Sequence, residues 1–218
     1  MYIYQPMSHL LKETLEGFSP YFKGKVLDVG SGGFDRSSEF FGDVTEHIRM
    51  DISEEIKPDF IGSIYEIPFD GDTFDTVLCT QVFEHLAFPH KAAPELFRVL
   101  KRGGYTIITA PQWNELHEEP HDYFRYTNYG LASLFTEAGF EIVRVERLGG
   151  YYSSLAQMRI RHLIDRYHLH RRPILGKVAG KLLYWYGSYM VAKDRRPGAD
   201  NAADRKHTIG WSVVLLKP

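Results

Sequence analysis

Apolar residues along this chain recur at two spacings, and their alternation sets out the elements. Runs with strand character fall near residues 25 to 29, 45 to 50, 59 to 61, 74 to 79 and 104 to 110. Helical periodicity occupies 7 to 18, 35 to 41, 90 to 102 and 128 to 138. Within the helix predicted over 90 to 102, Leu96, Val99 and Leu100 recur at helical spacing, and Lys101 and Arg102 suit a helix C-terminus. Gly103 is placed to take the left-handed capping conformation. Strands alternating with helices predict a parallel sheet covered on both faces. Phe140 to Arg147 and Thr208 to Leu216 read as a late pair of strands. Between them lie two predicted helices separated near Pro173, then a stretch over 194 to 206 rich in Asp, Arg, Ala, Gly and Asn that reads as a mobile linker. No internal repeat is present.

Length and composition make this one domain with an appendage. With 218 residues and 44% hydrophobic content the chain can bury a sizeable core. Its single cysteine, Cys79, sits in an apolar strand and reads as a small buried hydrophobe in a reducing cytoplasm. Neither a leader pattern nor a membrane-spanning window is apparent in the sequence, so a cytoplasmic protein is expected.

Charge changes the picture, because a formal net of −2 conceals a strong segregation. Residues 1 to 150 carry 13 Lys and Arg against 24 Asp and Glu, whereas residues 151 to 196 carry 10 against 2. The basic segment is also rich in aromatic and aliphatic residues, including Leu182, Leu183, Tyr184, Trp185, Tyr186 and Tyr189. Three readings stand for it. It is a helical cap over the substrate cleft, a peripheral membrane contact suited to a lipid-linked substrate, or a nucleic-acid surface. The last is disfavoured, since Thr80 to His85 lacks the Asn-Pro-Pro-aromatic segment that holds a flipped base.

The most chemical stretch is Val26 to Asp35, read as VLDVGSGGFD. Gly30 and Gly32 permit positive φ and close backbone approach to a ligand, and the turn presents free N–H groups. Asp51, about 20 residues beyond the first glycine, stands where the end of a neighbouring parallel strand can offer a carboxylate to two ribose hydroxyls. A nucleoside ligand is implied. A dinucleotide is not, because Asp35 stands where the third fingerprint glycine belongs.

The segment Asp28-Val29-Gly30-Ser31-Gly32 resembles motif I of the class I S-adenosylmethionine-dependent methyltransferases, of the type 11 kind. Ile67 to Leu78 resembles the segment leading into that family's fourth strand, and Glu95 to Pro111 its helix, glycine turn and fifth strand. Gly33 and Phe34 depart from the family's usual glycine loop. The resemblance covers residues 24 to 148 and resumes near Thr208 to Leu216. It implies an α/β fold: a Rossmann-like, doubly wound, mostly parallel seven-stranded sheet whose last strand is antiparallel, with a helical insertion before it. The domain would comprise 1 to 148 and 207 to 218, and the basic insertion 149 to 206.

By the same resemblance S-adenosylmethionine is the cofactor. Asp28, Gly30, Ser31 and Gly32 would serve its methionine end, Asp51 the ribose, Ile52 an adenine face, Ser63 and Ile64 the adenine edge, and Gln81 the sulfonium end. His85 matches a histidine common after the fourth strand. His117 to Thr127 looks like an H-x-x-P-x-D-aromatic-aromatic-R-aromatic-T segment of methyltransferases associated with glycan and cell-envelope clusters. There His121, His85 and Asp122 are the candidate catalytic residues, and His117, Tyr123, Arg125 and Tyr126 candidate acceptor contacts. No metal is expected, since no carboxylate set at compelling spacing accompanies the histidines. Methylation of a small-molecule, glycan or lipid-linked acceptor, at oxygen, is the leading expectation. A non-catalytic S-adenosylmethionine-binding partner or sensor is the alternative.

Overall fold

The computed structural model describes residues 3–32, 42–198 and 201–218. Seven strands, β1 (Lys23–Val29), β2 (Asp43–Asp51), β3 (Phe60–Ile61), β4 (Phe74–Thr80), β5 (Leu100–Pro111), β6 (Glu141–Leu148) and β7 (Gly210–Leu216), form one sheet in the order β3-β2-β1-β4-β5-β7-β6. The pairs β1/β2, β1/β4, β2/β3 and β4/β5 are parallel. Gly103 N–H donates to Lys217 O, and Lys217 N–H to Gly104 O, so the start of β5 meets the end of β7 and β7 runs antiparallel. The expected topology is therefore present, including its antiparallel last strand.

Among the described residues the helices are α1 (Pro6–Gly17), α2 (Pro89–Val99), α3 (Asn128–Glu137), α4 (Tyr151–Arg166) and α5 (Pro173–Asp194). Chain contacts divide the protein into two compact units. One comprises Leu15–Pro111, Leu116–Glu146 and Trp211–Pro218. Its core is built from strand residues such as Leu27, Met50, Val77, Ile108 and Val213, together with the buried face Ala92, Ala93, Leu96 and Val99 of α2. These helical positions fall at i, i+1, i+4 and i+7, one stripe of an α-helix. Helix α3 starts at an N-cap, Thr127, whose Oγ1 accepts the Gly130 N–H at 3.0 Å.

The other unit comprises Met1–Thr14, Gln112–Glu115 and Arg147–Gly210. The N-terminal segment groups here because Ile3 packs with Ala156, Ile160, Leu183 and Met190, and the Met7 N–H donates to Gln157 Oε1 at 3.1 Å. Pro173 starts α5, where its fixed φ and missing N–H are harmless. Asp194 accepts from the N–H groups of Gly150, Tyr152 and Ser153 at 2.8 to 3.0 Å. Its carboxylate thereby serves the donor-rich N-terminus of α4.

Two expectations shift. The helix predicted to 102 ends at Val99, and β5 starts at Leu100 rather than 104. Lys101 reaches Asp75 at 2.9 Å and Gly103 pairs with Lys217, so residues 100 to 103 are recruited by the sheet. Gly103 does take the left-handed conformation, at φ +73°. In the predicted linker, Asn201 Oδ1 accepts from Ala203 and Asp204 N–H, leading into a 3-10 turn at Asp204–Lys206. The helix predicted over 35 to 41, with Gly33 and Phe34, lies outside the described residues.

Candidate functional site

Strands β1 and β2 end side by side, with Val29 opposite Met50. Their register brings the glycine turn and Asp51 together. Gly30 N–H donates to Met50 O at 2.8 Å, and Gly32 N–H to Asp51 Oδ2 at 3.0 Å, while Asp51 Oδ1 accepts the Ser53 N–H at 2.9 Å. Gly30 and Gly32 have φ of +68° and +60°. At Gly30 a Cβ would stand 2.4 Å from Val82 Cγ2, so a side chain is excluded by space as well as by torsion. The two N–H bonds orient the Asp51 carboxylate and leave each oxygen further acceptor capacity.

Four side chains of this cradle fit a nucleoside-containing cofactor. Asp28 is buried at the end of β1, and its Oδ2 has no hydrogen-bond partner among the described residues; His47 Nε2 lies 3.7 Å away. Ser31 Oγ is likewise buried without a hydrogen-bond partner among the described residues. Such groups are costly unless something polar completes them. Ile52, directly after Asp51, is 77% exposed although it is a large aliphatic residue, and so offers an apolar surface to a ring. Gln81 at the end of β4 has φ +56°, and its Nε2 donates to Thr109 Oγ1 at 3.0 Å, so its amide is held in one orientation.

Ser63 and Ile64 behave differently from the simple expectation. Ser63 Oγ accepts the Tyr65 N–H at 3.2 Å, and Ile64 is packed in the core. The side chain of Ile64 is thus committed to packing. Cys79 is buried and its thiol is pushed up, by burial first and then by Asp28 and Glu84, which removes it as a nucleophile.

The segment after β5 is sewn to the 3-10 turn Phe83–His85 that follows β4. Tyr123 and Phe124 N–H donate to Glu84 O at 2.8 and 3.1 Å, Tyr126 Oη donates to Phe83 O at 3.1 Å, and His85 Nδ1 lies 2.6 Å from His121 O. A carbonyl only accepts, so Nδ1 of His85 carries the proton. Asp122 is bound in bidentate fashion by Arg125 at 2.6 and 2.7 Å and also accepts the His117 N–H at 3.0 Å. The Arg125 guanidinium holds its carboxyl well below the usual carboxylate range.

This geometry redistributes the acceptor-side expectations. Asp122 is too weak a base to take a proton near neutral pH, and it braces the loop. The Arg125 fork is spent on Asp122 and on Phe124 O. Tyr126 is buried with its hydroxyl pushed well up, chiefly by burial, so it supports the loop from beneath. His121 and Tyr123 remain at the surface, with His121 Nδ1 3.2 Å from Tyr123 Oη. His117 is partly buried, its ring centroid 4.8 Å from that of His85.

One residue was missed from the sequence. Glu84 is completely buried, and burial pushes its carboxyl up to about 8. Neither carboxylate oxygen has a hydrogen-bond partner among the described residues. Its place beside His85 was the only available sign, and adjacency says nothing of burial.

Known proteins align with this architecture. Residues 27–108 match the methyltransferase domain family. An uncharacterized methyltransferase of Schizosaccharomyces pombe is 38% identical over 97 residues, which are 41% of this chain and 32% of the relative. The chain spans about a third to a half of the length of the curated relatives it matches. Among solved structures, an S-adenosylmethionine-dependent methyltransferase from Archaeoglobus fulgidus superposes with a TM-score of 0.60 at 16% identity, covering 96% of this chain and 94% of that one. Phosphoethanolamine N-methyltransferase 2 of Haemonchus contortus, in complex with S-adenosylmethionine, superposes at 0.58 and 20% identity over 97% of this chain and 52% of that one. Fold, glycine turn and family match agree: residues 27–108 are similar to the methyltransferase domain family, and the chain has the fold of solved S-adenosylmethionine-dependent methyltransferases.

Proposed function

We propose that this protein transfers a methyl group from S-adenosylmethionine to an oxygen of a small-molecule, glycan or lipid-linked acceptor. The observation that carries the cofactor part is the joint geometry of Gly30, Gly32 and Asp51. When bound, S-adenosylmethionine supplies a methyl group on a positively charged sulfur, open to direct displacement. Asp51 holds the ribose hydroxyls, Asp28 with the Gly30–Gly32 turn receives the methionine end, Ile52 covers an adenine face, and the main chain of Ser63 and Ile64 meets its edge. Gln81, fixed by Thr109, lies toward the sulfonium. The protein's principal contribution is alignment.

On the acceptor side His121 takes the proton from a hydroxyl, with Tyr123 beside it, while Asp122, Arg125 and Tyr126 keep the segment in place. Calorimetric titration with S-adenosylmethionine and S-adenosylhomocysteine, with NAD as control, tests the cofactor assignment. Saturable binding of the first two alone is expected. Binding of NAD alone, or of none, overturns it.

Helix α5 supports a membrane-proximal acceptor. Leu183, Gly187, Met190 and Val191 form its buried face. Opposite them Ile174, Val178, Leu182, Trp185 and Tyr189 are all exposed, Ile174 at 81% and Trp185 at 71%. They recur at i, i+4, i+8, i+11 and i+15, a continuous apolar stripe, flanked by Lys177 and Lys181. No helix among the described residues is long and apolar enough to cross a membrane. A stripe of this kind suits lying in the interface of an anionic bilayer.

A further inference from the structure

We propose that Glu84, His85 and His117 bind a divalent transition-metal ion. Each offers one ligand atom, and the three atoms lie within 4.8 Å of one another. Two imidazoles and one carboxylate form a donor set suited to a borderline ion such as Zn²⁺ rather than to Mg²⁺, which prefers oxygen ligands and water. This reverses the expectation from sequence that no metal is used.

Glu84 is the buried member of the cluster. A fully buried carboxyl group with both oxygens lacking a hydrogen-bond partner among the described residues is a costly arrangement to maintain. The Tyr123 and Phe124 N–H groups donate to the backbone oxygen of Glu84 and not to its carboxyl. A cation beside it supplies the missing partner.

Both histidines are oriented by partners at one ring nitrogen. His85 Nδ1 donates to His121 O at 2.6 Å, which leaves the Nε2 lone pair directed at Glu84 Oε1, 4.0 Å away, and Glu118 Oε2, 3.8 Å away. His117 Nδ1 lies 3.4 Å from Asp122 Oδ2, and Asp122 is itself fixed by Arg125. Metal-binding histidines are generally oriented in this way, one ring nitrogen held by a carbonyl or carboxylate and the other given to the ion. Bonds of about 2.1 Å place ligand atoms roughly 3.4 Å apart, so modest side-chain rotations close the site. Exposed Glu118 is placed to supply a fourth ligand.

Asp122 and Arg125 then acquire a purpose beyond bracing: they set the ring of a ligand. An ion held here can polarise an acceptor oxygen and ease its deprotonation. That link rests on the methyl-transfer reading, whereas binding of the ion does not.

The test is titration of Co²⁺ into the full-length, chelator-treated protein, followed by visible absorption and by Zn²⁺ competition. One Co²⁺ per chain, displaced by Zn²⁺, is expected. Glu84→Gln and His117→Ala should each weaken binding at least tenfold, and Asp122→Asn, which leaves all three ligands in place, by roughly tenfold to a hundredfold. Circular dichroism confirms that each variant is folded; if Glu84→Gln is not, His117→Ala and Asp122→Asn decide. Absence of stoichiometric binding, or binding unchanged in the folded variants, overturns the proposal. Titrating S-adenosylmethionine into the same metal-free sample separates this failure from failure of the cofactor assignment.

Discussion

At the scale of the residue, carboxylates of one chemical type are given different tasks by their surroundings. Asp51 has its oxygens aimed by two loop N–H groups, Asp122 is clamped by Arg125, and Glu84 is sealed from water. Replacing Asp51 with Ala should weaken S-adenosylmethionine binding by about 2 kcal/mol, the range for a lost charged hydrogen bond, or roughly thirtyfold in Kd; calorimetry reads it. Wild-type affinity in that variant would remove Asp51 from the site. His121→Ala should reduce kcat by about a hundredfold or more, within the usual range for a lost general base, while cofactor affinity stays within about twofold. Gly30→Ala is expected to cost about 2 kcal/mol of stability, since a Cβ there meets Val82 at 2.4 Å on a backbone of positive φ. Thermal unfolding would show it as a lowered Tm.

At the scale of the element, the register of β1 against β2 does most of the positioning, because it sets Asp51 beside Gly32. A second positioning device is the ion pair that fastens the segment before β4 to α2. Glu95 is bound by Arg98 at 2.8 Å and also accepts the Ile67 N–H at 3.0 Å, while Arg98 donates to Ile67 O and Phe69 O. The Arg98 hydrogen bond leads the causes that hold the Glu95 carboxyl below its usual 4.5. The folded state therefore binds fewer protons than the unfolded state in the window below that value. The stabilisation is present above about pH 4.5 and is lost as pH falls toward the lower folded-state value. Denaturant titrations between pH 6 and pH 3 should show a shallower loss of stability in Glu95→Gln than in the wild type. Equal slopes would mean that the pair contributes nothing measurable.

At the scale of the whole molecule, the segregation of charge and the exposed stripe of α5 form one argument about location. The protein should sediment with vesicles containing phosphatidylglycerol and remain in solution with phosphatidylcholine alone. Raising the salt should weaken that binding, since the attraction of Lys and Arg for anionic headgroups is screened. Combining Ile174→Ser, Leu182→Ser and Trp185→Ser should reduce vesicle binding by tenfold or more without changing cofactor affinity. Equal binding by the triple variant would remove the stripe from the interface.

Local chemistry made much of this legible before the fold was seen. Gly30, Gly32 and Gly103 announce positive φ because little else tolerates it, and strand and helix periods follow from burial on one face. Those signals act over a few residues, so the sequence by itself determined most of the described strands and helices in outline, their alternation and the glycine turn after β1. It did not determine what lies between residues distant along the chain. That His85 meets His121 O, that Ile64 points into the core and that Glu84 is buried close to His117 are consequences of packing. Tertiary structure decided them, because burial, the direction of a carboxylate and the pairing of charges depend on which segments the sheet brings together.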